Sequence, residues 1–288
     1  MISALLLAAS LGQFPGYVRT RIDDSDPQSG CLYWKENTTI SWQANQQGNP
    51  ETMPTGSEFT AFEHSFATWE TVLESCASVR FSQGAMTTTR YAGYKGDGKD
   101  QNVLLFRFQT CASMVPAGDA CSKDDSCGNK YDCWDHGAGA LAITTTSYSP
   151  SSGKIFDADV EFNNPNFTFT TVDTPPCVRP NFNQSCVASD IQNTLTHEIG
   201  HMLGLAHDPN PISTMYASAD PGELKKRMLD TGTAQFPCDV YPPGEPSRQC
   251  GVKPVDDLLG NTPKGCTAFG GALGWPLLVY LLRKRRAA

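Results

Sequence analysis

Histidine is scarce in this chain, five residues in 288, and three of the five fall within residues 197–207. No two of the eleven cysteines are spaced C-x-x-C, which removes the usual signature of zinc ribbons and thioredoxin-like redox sites. A basic stripe is missing as well. Net charge is −8, and the one concentrated basic cluster, Arg283 to Arg286, sits at the far C-terminus. The rest of the chain is acidic and has nothing with which to neutralise a run of phosphates, which excludes nucleic acid as a partner. There is no internal repeat. Disorder is excluded too, because 39% apolar and 10% aromatic residues are enough for a core.

Ten of the cysteines precede residue 251: Cys31, Cys76, Cys111, Cys121, Cys127, Cys133, Cys177, Cys186, Cys238 and Cys250. An even set of this density predicts five disulfides and an oxidising compartment. Pairings do not follow from spacing, apart from Cys177 with Cys186 across a Pro/Asn loop. Cys266 stands apart. Residues 2–9, ISALLLAA, have the form of a signal-peptide core without a basic n-region. At the other end, TAFGGALGWPLLVYLL (267–282) is uncharged and is closed by RKRR. As a helix it would span ~24 Å of a ~30 Å hydrocarbon core, with the basic cluster as a cytoplasmic stop. A membrane or sorting segment is expected there.

Between these ends, CLYWKENTTISW (31–42) reads as strand through the alternation of Thr38, Ile40 and Trp42. A helix is expected over 55–76. Thr55 and Glu58 form a capping box, Phe59, Phe62, Phe66, Trp69 and Leu73 share one face, and His64 lies off it. Residues 79–82, 102–108, 139–148 and 154–163 are strand candidates. Residues 110–137 hold four cysteines and Asp119, Asp124 and Asp125 in a polar stretch lacking the Gly and Glu positions of an EF-hand loop, which predicts a disulfide-stapled insertion. In KIFDADVEFN, alternation places Asp157, Asp159 and Glu161 on one strand face. Three carboxylates in a row repel unless a cation or water lies among them, so a calcium site and a solvated face are the two readings. Turn and breaker residues dominate 243–265, a linker.

The chemistry concentrates in SDIQNTLTHEIGHMLGLAHD (189–208). Ser189 and Gln192 have capping-box spacing, and Ile191, Leu195, Ile199 and Met202 form a buried stripe. His197 and His201, four apart on a helix, project from one face and can share a zinc ion. Glu198 can reach a metal-bound water without ligating, as a general base requires. Gly204 supplies a left-handed helix end, and the turn returns His207 as a third ligand. Three His ligands leave a fourth tetrahedral position open for water, the mark of a catalytic rather than a closed structural site.

The spacing H-E-x-x-H-x-x-G-x-x-H, followed by Ser213-Thr214-Met215-Tyr216, resembles the metzincin signature with its Met-turn, in which Met215 would floor the metal without ligating it. Within that group the chain is most similar to the matrixin branch. The short His207-to-Met215 interval, the GALA strand, the acidic DADVEF strand and a terminal helix ending before Tyr241-Pro242 all match. Asp208 resembles the adamalysin branch instead. No P-R-C-G segment is present to act as a thiolate latch, and the histidines needed for a second zinc are missing. The Glu of the acidic strand stands one place later than in the animal calcium-site pattern.

The resemblance implies an α+β metzincin fold: a twisted, mainly parallel five-stranded sheet, long helices and a small C-terminal subdomain below the cleft. It also implies a secreted or surface-anchored zinc endopeptidase with one catalytic Zn2+ on His197, His201 and His207, and Glu198 activating the zinc-bound water. Calcium at Asp157, Asp159 and Glu161 is a further expectation. A protein or peptide substrate would lie extended along Gly139, Ala140, Leu141 and Ala142, with an S1′ wall near Thr194 and beyond Tyr216. The domain plan is signal peptide 1–10, N-terminal segment 11–30, catalytic domain 31–242, linker 243–265 and segment 266–288. That last segment, with Cys266, resembles myxobacterial C-terminal sorting tags and is the expected source of any membrane contact. The catalytic domain is expected to be monomeric. A surface adhesin on the same scaffold is the rival reading, and Glu198 argues against it, since a binding module has no need of a general base.

Overall fold

The computed structural model describes residues 16–96, 100–124, 126–250 and 279–286. Strands β1 (Thr39–Ala44), β2 (Arg80–Gln83), β3 (Asn102–Arg107), β4 (Ala140–Tyr148) and β5 (Ile155–Asn163) form one sheet in the order β2-β1-β3-β5-β4. The first four strands in that order run parallel and β4 is antiparallel to β5, so the expected mainly parallel five-stranded sheet is present. β3 and β5 lie inside the sheet with both faces covered, which accounts for the near-continuous apolar run NVLLFR. A two-stranded ladder joins β6 (Phe169–Thr170) to β7 (Ser189–Asp190).

Two helices cover one face of the sheet. α1 (Ser57–Cys76) buries Phe62, Phe66, Trp69 and Leu73, the expected stripe, and leaves His64 exposed. Trp42 of β1 stacks on Phe66 with ring centroids 4.2 Å apart. The Trp69 indole donates to the Thr196 carbonyl at 2.9 Å, locking α1 against α5 (Ile191–Met202). Each fully buried side chain of this kind contributes roughly 1.5–3 kcal/mol, so the α1 stripe is a main anchor for α5. The expected Thr55–Glu58 capping box does not form. Gly56 caps the helix without a side-chain bond, and the buried Glu58 carboxylate instead accepts from the Asn49 N–H at 3.0 Å.

The stretch 31–38 is loop rather than strand, held by single bridges from Cys31 to Arg21 and from Tyr33 to Lys154. Between β3 and β4 the chain makes the short helices α2 (Cys111–Met114), α3 (Cys121–Asp124) and α4 (Cys127–Tyr131). Disulfides Cys111–Cys133 and Cys121–Cys127 staple them. After α5 there is a 3-10 turn, Lys225–Arg227, and α6 (Thr231–Val240). Cys76–Cys238 ties the end of α1 to α6, Cys31–Cys250 closes the body, and Cys177–Cys186 pairs as the loop spacing suggested. Closing loops this long removes the most entropy from the unfolded chain. The signal segment, Cys266 and residues 267–278 lie outside the described residues. No helix among the described residues is long and apolar enough to cross a membrane. Val279–Arg286, the end of the expected membrane segment, forms β8, which runs parallel to β4 along its outer edge.

Candidate active site

α5 starts one residue later than its sequence pattern suggests. Its cap is Asp190, whose carboxylate accepts from the Asn193 N–H at 2.7 Å and is itself gripped by Arg227. From this helix His197 and His201 project together, and His207 returns to them from the loop. The His201 Nε2 lies 3.2 Å from the Nε2 of His197 and 3.2 Å from that of His207. The Nδ1 of His197 faces the Thr214 carbonyl at 2.7 Å, and that of His201 faces the Leu205 carbonyl at 2.8 Å. A carbonyl only accepts, so on both rings Nδ1 carries the proton and Nε2 is left as a lone pair.

Lone pairs held this close repel unless a cation lies among them. Tetrahedral ligation with Zn–N distances of ~2.0–2.1 Å places ligand nitrogens roughly 3.3 Å apart, which the observed separations match. The residues therefore fit zinc. Burial, reinforced by Lys226 and the neighbouring rings, holds the His197 and His201 pKa values well below the usual imidazole range and moves that of His207 down to about 4. All three rings are neutral at pH 7, the state that ligation requires. Among the described residues this triad is the one group of three or more His, Cys, Asp or Glu side chains whose ligand atoms converge.

Two glycines make the arrangement possible. Gly204 has φ +103°, and a Cβ there would stand 2.8 Å from the Leu32 carbonyl oxygen, so the turn that returns His207 accepts no side chain. Gly200, between the first two histidines, gives room for Met215, whose sulfur would be 2.3 Å from a Cβ at that position. Met215 is fully buried, as a floor residue should be. Asp230, the cap of α6, accepts from the Thr214 N–H at 2.7 Å and so fixes the carbonyl that orients His197. Asp208 takes no part in the metal cluster. Its N–H donates to the Met215 carbonyl and its carboxylate accepts from the Asn210 N–H, so it shapes the loop.

Glu198 is fully buried. Its Oε2 accepts from the Thr144 hydroxyl at 2.6 Å, while Oε1 has no hydrogen-bond partner. Burial raises its pKa to about 8, with the Thr144 bond and Lys226 opposing; a cation held by the three histidines would act in the same sense as Lys226 and favour the ionised carboxylate that a general base requires. Lys226 was not singled out from the sequence. It is buried under the segment after the Met-turn, donating to the Tyr216 and Ser218 carbonyls at 2.7 and 2.9 Å. Burial lowers its pKa to about 8. Thr144 and Lys226 carried no sequence signal, since each acts through a tertiary contact.

The solvated-face reading of the acidic strand is not met: Asp157, Asp159 and Glu161 share a face, but that face is buried, with the loop between β2 and β3 reaching it through the Gly93 N–H. Asp159 accepts from the Val103 N–H at 2.8 Å and from the Gly93 N–H. Burial raises the pKa values of both Asp157 and Asp159, reinforced by the Asp159 charge at Asp157 and by the Glu161 charge at Asp159. Glu161 turns to Arg107 at 2.6 Å and His136 at 3.3 Å, and these hold its carboxyl well below the usual range despite burial. Among the described residues the three do not converge as one ligand set, and Arg107 supplies a positive charge to Glu161.

Ala140, Leu141 and Ala142 open β4, and Gly139, which is exposed, stands directly before it. The outer edge of that strand is covered by β8, paired from Ala140 with Val279 through Tyr148 with Arg286.

A mainly parallel sheet with an antiparallel edge strand, and a helix delivering two of three converging histidines, are together consistent with a metzincin fold. Residues 123–233 match the matrixin family model. Metalloendoproteinase 1-MMP of Arabidopsis thaliana is 33% identical over 94 residues, which are 32% of this chain and 26% of that protein. The chain thus spans about a quarter of the length of the curated relative it matches. Both matches support a matrixin-like metalloprotease domain.

Proposed function

We propose that the protein is a secreted or surface-anchored zinc-dependent endopeptidase. The observation that carries this is the convergence of three imidazole Nε2 atoms, two of them from the helix that also carries Glu198, a buried carboxylate with one bare oxygen. His197, His201 and His207 would hold the zinc, which supplies a Lewis acid to polarise a carbonyl and acidify water. Glu198 takes the proton from the attacking water at Oε1 and delivers it to the departing amine. Thr144, bonded at Oε2, fixes one carboxylate oxygen and leaves Oε1 for the water. Met215 packs on Gly200, between His197 and His201. Five disulfides support an oxidising location, and anchorage through residues 266–288 remains part of the same proposal. Incubation of the purified chain with an unfolded protein tests the reading: zinc-dependent internal cleavage is expected, and an intact substrate at saturating zinc would refute it.

The substrate would add as a strand to the outer edge of β4, where main-chain hydrogen bonds orient a peptide and alternate side chains find pockets. Since β8 lies along Ala140–Tyr148, a peptide has to displace it. Deleting residues 267–288 is therefore expected to raise kcat/KM for peptides severalfold, mainly through KM. Equal kcat/KM for the full and shortened chains would show that substrate does not compete with β8 for this edge.

A further inference from the structure

The segment from Lys226 to Asp230 is bonded to the active-site elements at several points. Lys226 lies in the 3-10 turn Lys225–Arg227 and is fully buried. Its ammonium donates to the Tyr216 and Ser218 carbonyls at 2.7 and 2.9 Å, just past Met215, and Glu223 stands 3.7 Å away. Its backbone N–H donates to the side-chain carbonyl of Asn193, in the first turn of α5, at 2.8 Å. Arg227 pairs with Asp190, the cap of α5, at 2.8 and 2.6 Å. Met228 and Asp230 hold the entry to the Met-turn: the Thr214 hydroxyl donates to the Met228 carbonyl at 3.1 Å, and the Thr214 N–H to Asp230 at 2.7 Å. A buried ammonium is costly to desolvate, and an apolar side chain of similar volume would fill this space without that cost. What the lysine adds is a set of N–H donors that reaches two carbonyls of another segment.

We propose that Lys226 is a positioning residue of the metal site, an inference that rests on the zinc reading above. It acts through the Met-turn. The Thr214 carbonyl accepts from His197 Nδ1, and Met215 packs on Gly200 between His197 and His201, so the course of residues 214–218 sets how one ligand is aimed. Lys226 bonds the exit of that turn while Met228 and Asp230 bond its entry. Through Asn193 the same residue ties the turn to the helix that carries His197 and His201. Without the ammonium, the Tyr216 and Ser218 carbonyls lose their donor and turn toward water. The exit of the turn then loosens, and the His197 ring loses its fixed angle.

The test loads the full chain with cobalt(II) in place of zinc, because the visible d–d absorption of cobalt reports ligand geometry without any turnover. Three variants are compared with the unaltered chain. Lys226→Met keeps the volume and loses the donors, and Lys226→Gln keeps N–H donors on a side chain one bond shorter. Val79→Ala removes core volume beside β2, at the other side of the sheet from β4, and serves as the control for general loss of stability. Lys226→Met is expected to shift and weaken the cobalt absorption and to weaken zinc binding about tenfold, the scale on which residues behind the ligands act. Lys226→Gln should fall between it and the unaltered chain, and it carries the test by the same criteria if Lys226→Met does not fold. Val79→Ala should lower the melting temperature and leave spectrum and zinc Kd in place. Loss of a positive charge alone has the opposite sign: it would tighten zinc and leave the spectrum unchanged. That result, or an equal spectral shift in Val79→Ala, would overturn the positioning role and leave the zinc site standing. A four-coordinate cobalt spectrum missing from the unaltered chain would overturn both.

Discussion

Glu198→Ala should abolish peptide cleavage while leaving zinc bound. A positioned general base is worth roughly 10²–10⁴-fold, and the loss should fall on kcat, because Glu198 acts on the reacting proton and makes no metal bond. The variant is also expected to fold. It removes a buried carboxylate with one unpartnered oxygen, and the Thr144 hydroxyl keeps the backbone carbonyl of residue 198 as an acceptor at 3.1 Å. Glu198→Gln also keeps the side-chain bond to Thr144 and should be as inactive as alanine, which separates base chemistry from positioning. Zinc content, melting temperature and kcat measured on the same preparations check the prediction. Full activity in either variant would contradict the assigned base.

Removing the third ligand should have a different signature. His207 comes from a loop, whereas His197 and His201 are preset by α5 and by carbonyls at their Nδ1 atoms. His207→Ala should therefore keep the fold, lower zinc occupancy well below one per chain, and lose activity that added zinc restores only in part. Chelation of the unaltered chain is expected to remove all activity and to lower the melting temperature, because a ligand that binds only the folded state stabilises it by about 4 kcal/mol at a thousandfold excess over Kd. Zinc should restore both. Magnesium or calcium should not, since three neutral imidazoles suit zinc better than hard oxygen-seeking ions. Unchanged melting and activity after complete metal removal would contradict the metal site.

The histidine cluster was legible because its determinants are local. A four-residue helical interval, a glycine at the turn and a short return to His207 need little tertiary information. The helical stripe of α1 was legible for the same reason, through its period-3.6 pattern, and the strand over 140–148 through its run of apolar and β-branched residues. What surrounds these elements was not. Asp157, Asp159 and Glu161 were correctly placed on one face, but Arg107 and the covering loop come from other parts of the chain, so their burial and pairing left no local mark. The caps moved by a residue at α5, and Glu58 left its own helix for Asn49. Thr144 and Gly200 read as an ordinary strand threonine and helix glycine until Glu198 and Met215 were seen against them. The apolar run near the C-terminus reads equally as helix or strand. An available β4 edge lets Val279–Arg286 form a strand there.

The central claim is hydrolysis of internal peptide bonds by a zinc-dependent site. Its most direct measurement is intact-mass spectrometry of an unfolded protein incubated with the purified chain, with and without a zinc chelator. The prediction is complementary fragment pairs whose masses sum to the substrate plus one water, present with zinc and absent with the chelator. Substrate of unchanged mass in the presence of saturating zinc would contradict it, and would leave a scaffold that binds rather than cuts.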